Sequence, residues 1–220
     1  MSLKRILEPE VMDTPEEARD YNGMDHSEVN RIFVDDLLAT GFTGVDILDL
    51  GTGTAQIPVE LCQRSEDCRV MAVDAAINML EIAKFNIDVA GMLHRIQLQK
   101  VDAKNMDFPD GMFDAVVSNS IIHHIPEPLD CLREAVRVTK PAGTLFFRDL
   151  LRPGSQQELD HLVQTYTGQE NTHSQQMFRE SLHAALTLDE IQDMVEQLGF
   201  DRQSVVQNTD RHWTWTANRP

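Results

Sequence analysis

The chain has 220 residues, 41% of them hydrophobic, and its 36 acidic side chains against 19 basic ones give a formal charge of −17. That length and apolar share suit one globular domain around one large core. So acidic a surface disfavours phosphate backbones and anionic lipid, so no nucleic-acid or membrane partner is expected and a small molecule is the favoured ligand.

Apolar runs are too short and interrupted for a transmembrane helix. The start, Met1 to Glu10, has basic residues but lacks the long apolar core of a secretory signal, so a cytoplasmic protein is expected. Cys62, Cys68 and Cys131 are odd in number and lack Cys-x-x-Cys spacing, which fits a reducing compartment and argues against structural zinc.

In chain order, residues 1–26 are polar with few core signals and read as an N-terminal cap, in which Tyr21 and Met24 could close over a ligand as a lid or simply anchor the terminus. Val29, Ile32, Phe33 and Leu37 then recur at helical spacing, and Gly41 closes that helix. Val45 to Leu50 is a β-branched strand carrying Asp49 near its end. Gly51-Thr52-Gly53-Thr54-Ala55 turns the chain, and a helix starts at Gln56. Strand, glycine turn and helix N-terminus bring bare backbone and unpaired N–H groups to a ligand.

A second strand, Arg69 to Asp74, again ends in a carboxylate, and a helix runs from Ile77 to Ala90 before Gly91. Further strands are expected at Ile96–Val101, Phe113–Asn119 and Thr144–Phe147, with a helix from Glu127 to Thr139 between the last two. After Asp149 come a helix over Gln156–Gln164, a polar stretch to Ser181 without clear periodicity, and a helix from the capping-box sequence Thr187-Leu188-Asp189-Glu190 to Gly199. Strands at Ser204–Gln207 and His212–Thr216 complete the pattern. Alternating strands and helices predict an α/β, Rossmann-like, doubly wound sheet of seven mostly parallel strands with helices on both faces. The expected organisation is one domain: cap 1–26, cofactor core 27–150, insert 151–186, and a C-terminal helix and strand pair 187–220.

The position three after Gly53 is Gln56, so the dinucleotide fingerprint Gly-x-Gly-x-x-Gly fails and a nicotinamide oxidoreductase is disfavoured. The pattern Asp-x-Gly-x-Gly-x-Gly fits from Asp49, with Ala55 in place of the last glycine. In this motif and in the order of the later strands the chain resembles class I S-adenosylmethionine-dependent methyltransferases, small-molecule type, similar to quinone C-methyltransferases. That family's sheet finishes with a late antiparallel strand. Its cofactor is S-adenosylmethionine, released as S-adenosylhomocysteine.

By that resemblance, Asp49, Gly51 and Gly53 border the methionine part, and Asp74 takes the ribose about 20 positions after the turn. Ala75 and Ile77 flank the adenine, Asp102 and Ala103 hold its edge, and Asn119 lies near the sulfonium. The bland alternatives are a helix cap for Asp74 and an ordinary turn for Asp102.

His123 and His124 follow the fourth strand and resemble the family's paired histidines. One could serve as base or acceptor-positioning group, or both could pack. No metal is expected there, because neighbouring imidazoles on an extended chain diverge. Arg148, Arg152, Arg179, His183 and Arg211, with Tyr21, are the candidate acceptor contacts. They predict a polar or anionic acceptor unless the arginines merely neutralise surface acids. The expected activity is methyl transfer to a small acceptor by in-line displacement, and the alternative is a cofactor-binding regulator without turnover.

Overall fold

The computed structural model describes residues 3–8 and 13–220. Its elements in chain order are α1 (Pro15–Gly23), α2 (Ser27–Ala39), β1 (Asp46–Leu50), α3 (Gln56–Arg64), β2 (Arg69–Asp74), α4 (Ile77–Val89), β3 (Ile96–Lys100) and β4 (Phe113–Asn119). They continue with α5 (Pro128–Val138), β5 (Thr139–Leu150), α6 (Gln156–Thr167), α7 (Thr172–Ala184), α8 (Leu188–Gln197), β6 (Val205–Gln207) and β7 (His212–Asn218).

The seven strands form one sheet, as the alternating pattern predicts, in the order β3-β2-β1-β4-β5-β7-β6 that the structure supplies. β1 runs parallel to β2, with Leu50 opposite Val73, and parallel to β4, with Leu50 opposite Ser118. β6 and β7 pair antiparallel, with Val205 opposite Trp215. Chain order reverses between β1 and β4, and at such a switch point an open α/β sheet leaves a crevice beyond its strand carboxyl ends. No helix among the described residues is long and apolar enough to cross a membrane.

Two compact units make up the chain. One comprises residues 13–119, 130–147 and 216–220; the other comprises 3–8, 120–129 and 148–215. These units cut across the boundaries expected at 26, 150 and 186. The first unit is built on Phe33, Leu37, Ile47, Val70, Ile87 and Phe146, each at most 2% exposed. It also buries all three cysteines, with the Cys62 and Cys68 sulfurs 3.5 Å apart. Leu150, Leu159, Leu162 and Leu182 form a core in the second unit, against which Leu3 and Phe178 pack.

Three elements differ from the sequence expectation. Within the polar cap, Thr14 accepts from the Glu17 N–H and Glu17 answers to the Thr14 N–H, a capping box that starts α1 with Pro15 in its first turn. The stretch without periodicity contains α7, which Asn171 caps by accepting from Ser174 N–H and which buries Leu182 and Ala184. Finally, β5 begins at Thr139 and runs through Pro141-Ala142-Gly143 instead of starting after them. A side chain at Gly143 would stand 2.8 Å from the carbonyl oxygens of Asp114 and Lys140, so only glycine fits.

Candidate functional site

The turn after β1 is built from left-handed backbone. Gly51, Gly53 and Ala55 have φ of +69°, +54° and +60°. Ala55 therefore takes a conformation in which glycine is at ease and alanine is strained by about 1–2 kcal/mol. In return its methyl is fully buried in the core.

This winding buries polar atoms around the turn. Asp49 Oδ2, Thr52 Oγ1 and Thr54 Oγ1 are buried with no hydrogen-bond partner among the described residues. Burial pushes the Asp49 carboxyl up to about 7; the Thr52 hydroxyl beside it opposes the shift and nearby Asp74 adds to it. Leaving such groups orphaned costs about 1–3 kcal/mol each, so a carboxylate and two hydroxyls held this way are suited to a ligand carrying positive charge and hydrogen-bond donors.

Asp74 closes the loop from the end of β2. Its two oxygens accept from Gly53 N–H and Ala76 N–H, both at 2.8 Å. Each carboxylate oxygen retains a lone pair, which leaves room for two hydroxyl donors. The helix-cap alternative for Asp74 is taken up by another residue: Asp13 Oδ1 accepts from the Asn78 N–H at the start of α4.

Tyr21 of α1 lies against this turn, its ring edge 3.6 Å from where a side chain on Gly53 would stand. Burial, with Asp74 and Asp49 behind it, lifts the Tyr21 phenol to about 12. The sequence assigned Tyr21 to the acceptor; the structure places it on the glycine turn. Asn86 ties the same region together, donating to Asn22 Oδ1 at 2.8 Å and to the Thr54 carbonyl at 2.9 Å.

The remaining cofactor candidates are less engaged. Asp102, just beyond β3, accepts from the Lys104 N–H at 2.9 Å and pairs with its ammonium at 3.0 Å, which holds the Asp102 carboxyl below the usual range against the opposing effect of burial. It is thus both an ordinary turn residue and a half-open carboxylate. Ala75 and Ala103 are half-buried, Ile77 is 44% exposed at the head of α4, and Asn119 ends β4 half-buried.

A second polar centre lies in the other unit. Ser120 takes a left-handed conformation (φ +61°), and Ile122–His124 form a 3₁₀ turn. The extended backbone expected here, with diverging imidazoles, is therefore not what forms: the His123 and His124 rings lie 4.1 Å apart at 34°.

His123 is buried and its Nδ1 lies 2.5 Å from Asp149 Oδ1. Asp149 also accepts from the N–H groups of Ile122, His123 and Leu150. Burial alone would favour neutral forms of both side chains. Mutual attraction wins, raising the histidine and lowering the aspartate. Glu8 completes the centre, with Oε1 3.3 Å from His123 Nε2 and 3.1 Å from His124 Nδ1. Sequence reasoning missed Glu8 and Asp149 here, because nothing local ties positions 8 and 149 to 123.

The arginines do not share one partner set. Arg152 is buried on Glu190 at 2.5 Å and on the Ala185 carbonyl at 2.9 Å, while Arg179 pairs with Asp160 at 2.5 Å. Arg148 Nε donates to Thr214 Oγ1 at 2.9 Å, and Arg211 stacks over the Tyr166 ring at 3.3 Å. Between these last two, His212 is pushed down to about 4 by burial and by the positive charges of Arg211 and Arg148. Asp149 and Asp210 oppose that effect, and Asp210 stands 3.6 Å from Arg211. His183 accepts the Ile6 N–H at its carbonyl, while its buried Nδ1 has no hydrogen-bond partner among the described residues.

Residues 48–147 match the family model described as a methyltransferase domain. The 27-O-demethylrifamycin SV methyltransferase of Amycolatopsis mediterranei is 27% identical over 80% of this chain and 62% of its own length. The demethylmenaquinone methyltransferase of Desulfitobacterium hafniense is 32% identical over 50% of this chain and 44% of its own. The chain thus spans less than two thirds of the length of these curated relatives.

Among solved structures, a putative S-adenosylmethionine-dependent methyltransferase from Methanococcus maripaludis superposes with a TM-score of 0.74 at 19% identity, covering 95% of both chains. The plantazolicin methyltransferase, solved with a pentazolic desmethylPZN analog and SAH, gives 0.69 at 12% identity over 94% and 90%. Residues 48–147 thus match a methyltransferase domain, and the chain shares its fold with solved methyltransferases.

Proposed function

We propose that this chain transfers a methyl group from S-adenosylmethionine to a small polar or anionic acceptor by in-line displacement, in the cytoplasm. The observation that carries the reading is the set of orphaned buried atoms on the glycine turn, Asp49 Oδ2 with Thr52 Oγ1 and Thr54 Oγ1. The bound cofactor would supply a methyl group already activated by positive sulfur, so the protein's task is to orient it and exclude water.

Asp49 is suited to the cationic methionine end, and Asp74 to the two ribose hydroxyls. Asp102 and Ala103 are the adenine-edge candidates, with Ala75 and Ile77 flanking the base. Asn119 is assigned to the sulfonium end. Tyr21 and α1 act as a cap over the turn.

Acceptor recognition is assigned to the second unit. His123 and His124 orient the acceptor or take its proton. Arg148 and Arg211 are the candidate donors to an anionic group on the acceptor. Arg152 and Arg179, held by Glu190 and Asp160, are better suited to positioning α8 and α6.

The test is calorimetric titration of the chain with S-adenosylhomocysteine, followed by an acceptor screen that detects S-adenosylhomocysteine release. Saturable binding with turnover on polar or anionic acceptors is expected. Binding without turnover on any acceptor would favour the regulator, and absence of binding would end the reading.

A further inference from the structure

We propose that Glu8, His123 and His124 form a binding site for one divalent transition ion of the zinc class, with Asp149 as the buried partner that orients it. The proposal is independent of the methyl-transfer reading, and its test needs no turnover.

Chain segments distant in sequence are fixed around this point. Arg5 donates to the carbonyls of Ala184 at 2.7 Å, Ile125 at 2.9 Å, and Pro126 and His123 at 3.2 Å. Those bonds pin the N-terminal segment to the 3₁₀ turn and to the end of α7. Ser181 Oγ donates to Glu8 Oε2 at 3.2 Å, which leaves Oε1 as the oxygen facing the imidazoles.

The donor spacing suits a metal. Glu8 Oε1, His123 Nε2 and His124 Nδ1 all lie within 4.8 Å of one another. With metal–ligand bonds of about 2.0–2.2 Å, adjacent donors stand about 3.0 Å apart at a right angle and about 3.4 Å apart in a tetrahedron. The two contacts to Glu8, 3.3 and 3.1 Å, fall inside that window. Glu8 Oε1 is buried with no hydrogen-bond partner among the described residues.

Asp149 supplies the usual outer support. Its carboxylate takes the His123 Nδ1–H, so Nε2, the nitrogen facing Glu8, is the one that would give up its proton to an ion. Three backbone N–H groups hold Asp149 itself. Two imidazoles and one carboxylate select zinc and its first-row neighbours over magnesium or calcium, which prefer oxygen donors. Three protein ligands leave a fourth position open, and the partly exposed His124 gives solvent access to the centre. With an ion bound, nitrogens facing it are no longer proton acceptors, so the paired histidines become positioning groups.

The experiment titrates the chelator-stripped full chain with Co²⁺, whose visible absorption reports ligation, and then displaces it with Zn²⁺. One Co²⁺ per chain, full displacement by Zn²⁺ and a zinc-dependent rise in unfolding temperature are expected. Glu8→Gln and His124→Gln should each weaken binding at least about tenfold, while the exposed His94→Gln leaves it unchanged. Circular dichroism of each variant confirms the fold before titration. Absence of a saturable Co²⁺ band in the wild-type chain, or equal affinity in the folded Glu8→Gln and His124→Gln variants, would overturn the site.

Discussion

The glycine turn and the histidine centre solve opposite problems. At the turn, left-handed backbone leaves a carboxylate and two hydroxyls buried without partners, and the protein carries that cost until a ligand arrives. At the histidine centre, buried charges are matched within the chain: His123 on Asp149, and Asp149 on three backbone N–H groups. One region is destabilised by what it lacks and the other is stabilised by what it has assembled. Substitutions should separate them: loss of Asp74 acts on cofactor binding, and loss of Asp149 acts on folding.

The largest effect is expected at the centre. Asp149→Ala strands a buried imidazole and three N–H groups, and should cost about 3–5 kcal/mol in urea unfolding. A loss below about 1 kcal/mol would show that His123 is not held by this pair.

Next comes Asp74→Ala, which removes the acceptor for two ribose hydroxyls. Each charge-assisted bond is worth about 1.5–3 kcal/mol, so S-adenosylhomocysteine should bind at least about tenfold more weakly. Unchanged affinity by calorimetry would break the proposed cofactor register.

A smaller effect is expected from Asp49, as a pH slope. Burial raises its carboxyl to about 7 in the folded chain, so between its unfolded value and about 7 the folded state binds the extra proton. Stability from this group is therefore fully present below its unfolded value and is lost as pH rises through about 7. Wild type should lose about 1.4 kcal/mol per pH unit more than Asp49→Asn between pH 5 and 6. Parallel stability profiles for the two proteins would show that Asp49 is already ionised there.

Ala55→Gly should change least. Relief of the left-handed strain, about 1–2 kcal/mol, is offset by a lost buried methyl worth about 0.8 kcal/mol and by glycine's greater unfolded freedom. A net change within about 0.5 kcal/mol in thermal unfolding is expected, and a large loss would mean that the methyl packs more tightly than its burial implies.

The two regions also differ in how far they could be read from sequence. The turn is local: Asp49 to Ala55 carry their own conformational signature and Asp74 ends the next strand, so periodicity and glycine placement reach the backbone of the turn, while the cofactor roles rest on the family resemblance. The sheet was legible for the same reason, since strand, turn and helix signals alternate along the chain. The histidine centre joins positions 8, 123, 124 and 149, and no spacing rule links them. Its outcome hinged on a 3₁₀ turn where extended backbone was expected.

Helix α1 could have been found from Thr14-Pro15-Glu16-Glu17, a capping box with proline at its first position. Helix α7 gave a weaker signal, because its length is mostly polar and its apolar contacts crowd into Phe178, Leu182 and Ala184 near its end. The arginines illustrate the same limit from the other side. Their charge was visible, but their partners Glu190, Asp160 and Tyr166 were set by tertiary packing.

All three cysteines are buried, and all three belong to the unit that carries the glycine turn. A thiol-reactive dye added to the native chain can therefore reach sulfur only when that unit opens. At high reagent concentration the labelling rate becomes the opening rate, and at low concentration it reports the equilibrium population of the open form. The other unit has no thiol and stays silent. The wild-type chain thus comes with a built-in clock for one of its two units, readable without a single substitution.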